Sequence, residues 1–358
     1  MTVSNSLPRA RHEHILRHIE LHGTVSATGV AQELGVSPMT IRRDMDELEE
    51  AGRLVRVHGG AIAATASPVP QSALTNIGVV VPGTVGHFPM IIRGMDAASH
   101  ALRARLVLAT SQYHPDVERR QAERLVEAGV KGLILAPTLR EQTEDELADW
   151  VRQQPVPVVF LERRLESTAL ASFDSVRSDH ARGAILAVEH LHRLGHERVG
   201  LALLERTATA PLIREGYVRA VERLGMKSAP YRALPKRDEE HDGRLDIELA
   251  AFIDECLESG ATAALVHTDV EAARIVELAV DRGLRIPDDL ALVAYDDNTA
   301  AFALVPLSAV TAPRRDLGGE ALSTVMHRVS ETGDADRAPR NLAILPRLTV
   351  RESCGARV

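Results

Sequence analysis

Residues 37–61 read Ser-Pro-Met-Thr-Ile-Arg-Arg-Asp-Met-Asp-Glu-Leu-Glu-Glu-Ala-Gly-Arg-Leu-Val-Arg-Val-His-Gly-Gly-Ala. Ser37 can cap free backbone N–H groups, and Pro38 suits the first position of a helix. Ile41, Met45 and Leu48 recur at i, i+4 and i+7, which gives that helix one buried stripe. Met39, Thr40 and Arg43 fall away from the stripe, with Arg42 at its flank. Gly52 stops the helix, and Arg53–Val57 alternates basic and apolar residues before a Gly59-Gly60 turn. A helix exposing Thr and Arg near its N-terminus, followed by a basic hairpin, predicts a winged DNA reader. The helix would enter the major groove and the wing would lie on phosphate. The expected DNA contacts are Ser37, Met39, Thr40, Arg42, Arg43, Arg53, Arg56 and His58.

The upstream residues agree. Arg9–His22 places Ile15 and Ile19 on one helical face, Gly23 ends it, and Ser26–Leu34 forms a second short helix. Gly35-Val36 is the tight turn before the third. Residues 9–61 resemble a DeoR-type helix-turn-helix domain. The likeness is carried by Thr40-Ile41-Arg42-Arg43-Asp44 and by Arg56-Val57-His58-Gly59-Gly60-Ala61, without a gap.

Composition sets the frame. A chain of 358 residues suits two or three domains, and 45% apolar content supports a sizeable core although aromatics are only 3%. The net charge is −8, and residues 1–64 carry seven Arg against eight acidic residues. DNA binding therefore rests on the local placement of Arg42, Arg43, Arg53 and Arg56, with residues such as Glu13 and Glu20 on faces away from DNA. Cys256 and Cys354 are scattered thiols without motif spacing, which suits a reducing compartment. The N-terminus lacks signal-peptide patterning and no apolar run reaches spanning length, so a cytoplasmic protein with no membrane partner is expected.

Residues 62–76 are small, polar and Pro-containing and read as a linker. Beyond it, strand candidates at 77–81, 106–109, 132–136, 156–161, 199–203, 263–267 and 290–294 alternate with helices at 87–101, 117–128, 179–194, 211–224, 247–259 and 270–282. Such alternation implies α/β architecture with parallel sheets covered on both faces, and ligands beyond the carboxyl ends of the strands. The residues found there are polar: Phe88, Arg163, Asp179, Arg214, Asp269 and Asp296. Arginines and carboxylates engage neighbouring hydroxyls in pairs, and Phe88 offers an apolar face, so a polyhydroxylated effector is expected.

Residues 77–350 resemble the sensor of LacI-type repressors and the periplasmic sugar-binding proteins. The likeness rests on His192–Val199, on Arg214-Glu215-Gly216-Tyr217 and on Ile286–Asp297. It implies two subdomains joined by three crossovers with effector between them, and it assigns Arg163, Arg214, Asp269 and Asp296 to ligand contact. Residues 351–358 are left as a tail. LacI-type sensors ordinarily follow a different headpiece and a hinge helix, and residues 62–76 hold no hinge sequence. His180 stands where the family has Asn, Ala294 where it has Gly, and Ser308-Ala309 where it has a Thr pair.

Other patterns have plainer readings. His14, His18 and His22 are spaced i, i+4, i+8, but no Cys or carboxylate set completes them, so no metal or cofactor is expected. Ser178-Asp179-His180 holds the residue types of a hydrolase triad, yet adjacent residues cannot point at one another as a triad requires, so no catalytic residue is assigned. Gly83-x-x-Gly86 and Gly318-Gly319 read as turn glycines. The expectation is a DNA-binding transcriptional regulator, with repression the expected mode. It would act as a homodimer on double-stranded operator half-sites, controlled by a sugar or related metabolite. The alternatives are an enzyme acting on a sugar or nucleoside, or a regulator sensing a purine or phosphosugar.

Overall fold

In the computed structural model, residues 8–22, 24–51, 53–57, 59–63, 74–204, 206–235, 242–330 and 338–356 are described. The chain divides into two units, Met1–Ala73 and Leu74–Val358. Helix entry and exit chemistry shapes the first. α1 (Pro8–His22) and β1 (Thr24–Ser26) lead to α2 (Ala27–Leu34), where the Ser26 side chain accepts from Gly29 N and Gly35 closes the helix at φ 65°. α3 (Pro38–Glu50) begins where Ser37 Oγ accepts from Thr40 N at 3.1 Å. β2 (Leu54–Val57) and β3 (Gly60–Ala63) pair antiparallel, and β1 adds to the far side of β3. Ile15, Ile19, Val30, Ile41, Met45 and Leu48 bury their side chains together, the last three being the stripe read from sequence. Gly60 is required by a close approach, because a Cβ there would lie 2.0 Å from Val25 O. Of the expected linker, residues 64–73 lie outside the described residues; β3 runs to Ala63 and the next strand starts at Thr75.

The second unit alternates as parallel α/β chains do. In order it holds β4 (Thr75–Val81), α4 (Phe88–Ser99), β5 (Ala104–Thr110), α5 (Pro115–Glu127), β6 (Gly132–Leu135), α6 (Glu144–Val151), β7 (Val158–Leu161) and β8 (Asp174–Ser178). There follow α7 (His180–Arg193), β9 (Val199–Leu204), α8 (Ala210–Arg223), β10 (Tyr231–Leu234), α9 (Asp242–Ser259), β11 (Ala263–His267), α10 (Asp269–Asp281) and β12 (Ala291–Tyr295). The chain ends with β13 (Ser308–Thr311), α11 (Arg314–Ser330), β14 (Asn341–Ile344) and β15 (Arg347–Thr349). One sheet has the order β14-β8-β7-β6-β4-β5, the other β10-β9-β11-β12-β13-β15. All their pairings are parallel except β13 with β15. The chain passes between the sheets three times, at 178–180, 311–314 and 344–347. Each sheet carries apolar clusters on both faces, as fully buried parallel strands require.

Two sequence expectations change here. Gly318-Gly319 is not a turn: both lie inside α11, and a Cβ on Gly318 would sit 2.0 Å from Ile91 O, so the glycine lets α11 press against α4. The expected tail from Arg351 is instead built into the second sheet. Arg351 N donates to Ser308 Oγ at 2.8 Å, and the buried Ser353 Oγ donates to Leu292 O at 2.7 Å. Small polar residues satisfy groups of the inner strands β12 and β13 here, which a reading by hydrophobic runs passes over.

Candidate functional site

The exposed end of α3 carries the expected DNA-reading groups. Met39 is 70% exposed, and the Arg43 side chain is 85% exposed with only a loose 3.9 Å approach to Glu47. Arg42 and Arg53 are exposed as well, and Thr40 is half-buried with its hydroxyl on Ser37 Oγ. Arg56 departs from the expectation of a phosphate contact. Its guanidinium turns back to pair with Asp46 and to reach Arg42 O, and its backbone N donates to Glu49 Oε1 at 2.8 Å. His58 lies outside the described residues. Asp44, in the middle of the motif, is buried and takes a two-pronged bond from Arg11 at 2.6 and 2.8 Å, fixing α1 to α3.

In the second unit the carboxyl ends of both sheets converge on one buried polar cluster. Glu162 follows β7; its carboxylate meets His87 Nε2 at 2.6 Å and accepts from Ser178 N and Ser178 Oγ, each at 2.8 Å. His180, just past the first crossover, has Nε2 3.7 Å from Glu162 and Nδ1 3.1 Å from the Tyr295 hydroxyl at the end of β12. His267, at the end of β11, stands edge-on to Tyr295 with ring centres 6.0 Å apart, and its Nε2 lies 3.3 Å from Thr209 Oγ1. Burial pushes the Glu162 carboxyl up, but the neighbouring His87 and His180 overcome this and hold it well below the usual range. Burial pushes His267 down to about 4 and keeps it neutral. Three buried atoms in this region lack a hydrogen-bond partner: His180 Nε2, His267 Nδ1 and Asp269 Oδ1.

Residues 11–67 match the DeoR-like helix-turn-helix domain and residues 188–354 the periplasmic binding protein-like domain. The arabinose metabolism transcriptional repressor of Geobacillus stearothermophilus is 27% identical over 90% of this chain and 89% of that repressor. The chain carries a DeoR-like helix-turn-helix domain followed by a periplasmic binding protein-like domain. The lac repressor dimer bound to operator and an anti-inducer shares the fold at a TM-score of 0.64 and 22% identity, covering 80% of this chain and 96% of the other. The transcriptional regulator CelR in its cellobiose complex does so at a TM-score of 0.63 and 22% identity, over 89% of this chain and 91% of CelR.

The periplasmic binding protein-like domain disposes of its six expected effector residues unevenly. Phe88 is buried at the start of α4, beside His87. Arg163 is spent on backbone: Nε donates to Pro137 O at 2.7 Å and Nη1 to Glu162 O at 2.8 Å. Arg214 is exposed and lies over the Tyr231 ring at 5.0 Å, on the edge strand β10. Asp179 caps α7 by accepting from Arg182 N. Asp269 Oδ2 gathers Asn298 N, Thr299 N and Ala300 N at 2.6–3.1 Å, leaving Oδ1 unpaired. Asp296 is half-buried after β12 with φ 75°, a left-handed conformation that Asp tolerates better than most residues. The immediate neighbours of the two arginines span the subdomains instead, Arg164 Nη1 bonding Glu215 at 2.7 Å. His87, Glu162, Tyr295 and His267 stand in the strand-end segments that the sequence marks but were not assigned to the effector; Glu162 directly follows β7, His87 precedes α4, and Tyr295 and His267 are the last residues of β12 and β11.

Proposed function

We propose that the chain is a cytoplasmic, sequence-specific transcriptional repressor whose operator affinity is set by a neutral polyhydroxylated effector held at the Glu162–His180–Tyr295–His267 cluster. The observation that carries the ligand chemistry is the set of unpaired buried atoms. A carboxylate oxygen that only accepts, beside imidazole nitrogens that accept or donate with the tautomer, matches hydroxyls, which do both. Leaving such groups buried and unpaired is unfavourable by about 1–3 kcal/mol each, which a hydroxylated ligand would recover.

The same inventory opposes a phosphosugar. The guanidinium of Arg163 is committed to carbonyls and that of Arg214 to Tyr231, while Arg314 is held by Asn298 Oδ1 and Asp297 O. Glu162, Asp179, Asp269 and Asp296 supply negative charge at this end of both sheets. Phe88 is buried against the core and does not offer its face for stacking a purine. The relatives are repressors, and the catalytic reading gains no support from them. By linkage, effector changes operator affinity only as far as it binds the two states of the sensor unequally. Expected DNA contacts are Ser37, Met39, Thr40, Arg42, Arg43 and Arg53, and the acting species is a homodimer on paired half-sites.

Calorimetric titration of the purified chain with neutral monosaccharides and with their phosphate esters tests the reading. Saturable binding of a neutral sugar, weakened at least tenfold in Asp296→Asn, is expected. Preference for the phosphate ester would sink it.

A further inference from the structure

Sequence alone left His14, His18 and His22 as a row of solvated imidazoles that no Cys or carboxylate set completes. The fold supplies one. His14 and His18 are one helical turn apart on α1, with ring centres 6.4 Å apart, and Glu33 reaches them from α2. Glu33 Oε2 lies 3.1 Å from His14 Nε2, and one donor atom from each of the three residues lies within 4.8 Å of the other two. We propose that His14, His18 and Glu33 form a site for a borderline divalent transition metal, Zn2+ foremost, which ties α1 to the first helix of the helix-turn-helix pair.

The donor set selects the metal. Two imidazoles and one carboxylate suit Zn2+, whereas Mg2+ and Ca2+ ask for all-oxygen shells. Tetrahedral bonds of about 2.0–2.1 Å place neighbouring donors about 3.3 Å apart. His14 and Glu33 already stand at that spacing, and rotation of the partly exposed His18 brings in the third donor. Water completes the shell. Two positions on successive turns of one helix point the same way, so the helix itself orients both imidazoles.

A second cluster in the same unit, His12, Asp44 and Glu47, is the weaker candidate. Both Asp44 oxygens are already bonded by Arg11 at 2.6 and 2.8 Å, and a cation there would meet the guanidinium. At the Glu33 site the described bond is to His14 itself, and a metal would replace it without displacing a buried cation. Because ligation requires deprotonated imidazoles, affinity falls on acidification.

The test uses the full, untagged chain after chelator treatment, titrated with Zn2+ by calorimetry and with Co2+ by visible spectroscopy. One saturable Zn2+ site per chain is expected, with the ligand-field bands of tetrahedral Co2+. The His14→Ala/His18→Ala variant should lose it, Glu33→Gln should weaken it at least tenfold, and His12→Ala should leave it intact. His14 and His18 are half-buried and Glu33 is exposed, and an unchanged circular dichroism spectrum separates loss of metal from loss of fold. Absence of saturable binding, or a site lost in His12→Ala and kept in the His14/His18 variant, overturns the proposal.

Discussion

Of the proposed DNA contacts, Arg43 is exposed, whereas Arg56 is bonded back to Asp46 and Arg42 O. Arg43→Ala should weaken specific operator binding by about 1–3 kcal/mol, since base-edge contacts of arginine carry that much discrimination. Arg56→Ala should weaken it less and lower headpiece stability instead, because the guanidinium is committed to Asp46 and Arg42 O. Gel-shift titration beside urea unfolding separates the two effects. Asp44→Ala removes the two-pronged carboxylate partner of the buried Arg11, and removing one partner of a buried pair costs about 3–5 kcal/mol. Unfolding of the headpiece with the sensor transition unchanged is the expected result. Local periodicity could show that Asp44 belongs to the motif, but not that its partner stands 33 residues upstream. The contacts of Arg163 with Pro137 O and Glu162 O, and of Arg214 with the Tyr231 ring, are hidden for the same reason. Residue type and position after a strand are visible in sequence; which carbonyl or ring captures the guanidinium depends on the neighbouring strand.

At the level of elements, most long amphipathic helices and apolar strands were legible, whereas the short edge strands, the inner strands β8 and β13 and the short helix α6 were not. β10, β14 and β15 are three or four residues long with mostly exposed or half-buried positions, so no hydrophobic run announces them. α11 was hidden by its two glycines, of which Gly318 allows the close contact with α4. The strand ends hold two titrations of opposite sign. His267 is pushed by burial to about 4, below its unfolded value near 6.5, so its neutral form contributes stability that is lost as pH falls through that window. The loss is about 3 kcal/mol on that shift. Glu118 on α5 accepts from Thr138 N at 3.0 Å, but burial raises it to about 7, so its ionised form opposes folding and protonation relieves the penalty. Glu118→Gln should therefore stabilise the sensor at pH 8 by about 2–3 kcal/mol and have little effect at pH 4.5. His267→Gln should flatten the acid side of the stability curve between pH 6.5 and 4. Thermal unfolding across that range reads both, and a Glu118→Gln curve parallel to the parent would exclude the carboxyl as the source.

For the molecule as a whole, each half keeps the physics of its own fold. The headpiece is a small core organised by Arg11–Asp44 and by two serine-capped helices. The sensor is two parallel sheets meeting at Glu162, His180, Tyr295 and His267. Among the described residues no helix is long and apolar enough to cross a membrane. The central claim is that DNA affinity answers to a neutral ligand at the sheet ends. Its most direct test is a fluorescence-anisotropy titration of an in-vitro-selected duplex, with and without the neutral sugar found by calorimetry. The account predicts a shift in operator affinity of at least tenfold with the sugar, none with its phosphate ester, and none in Asp296→Asn, whose affinity for DNA alone stays at the parent value. An operator affinity that ignores the sugar, or answers to the phosphate ester, would contradict it.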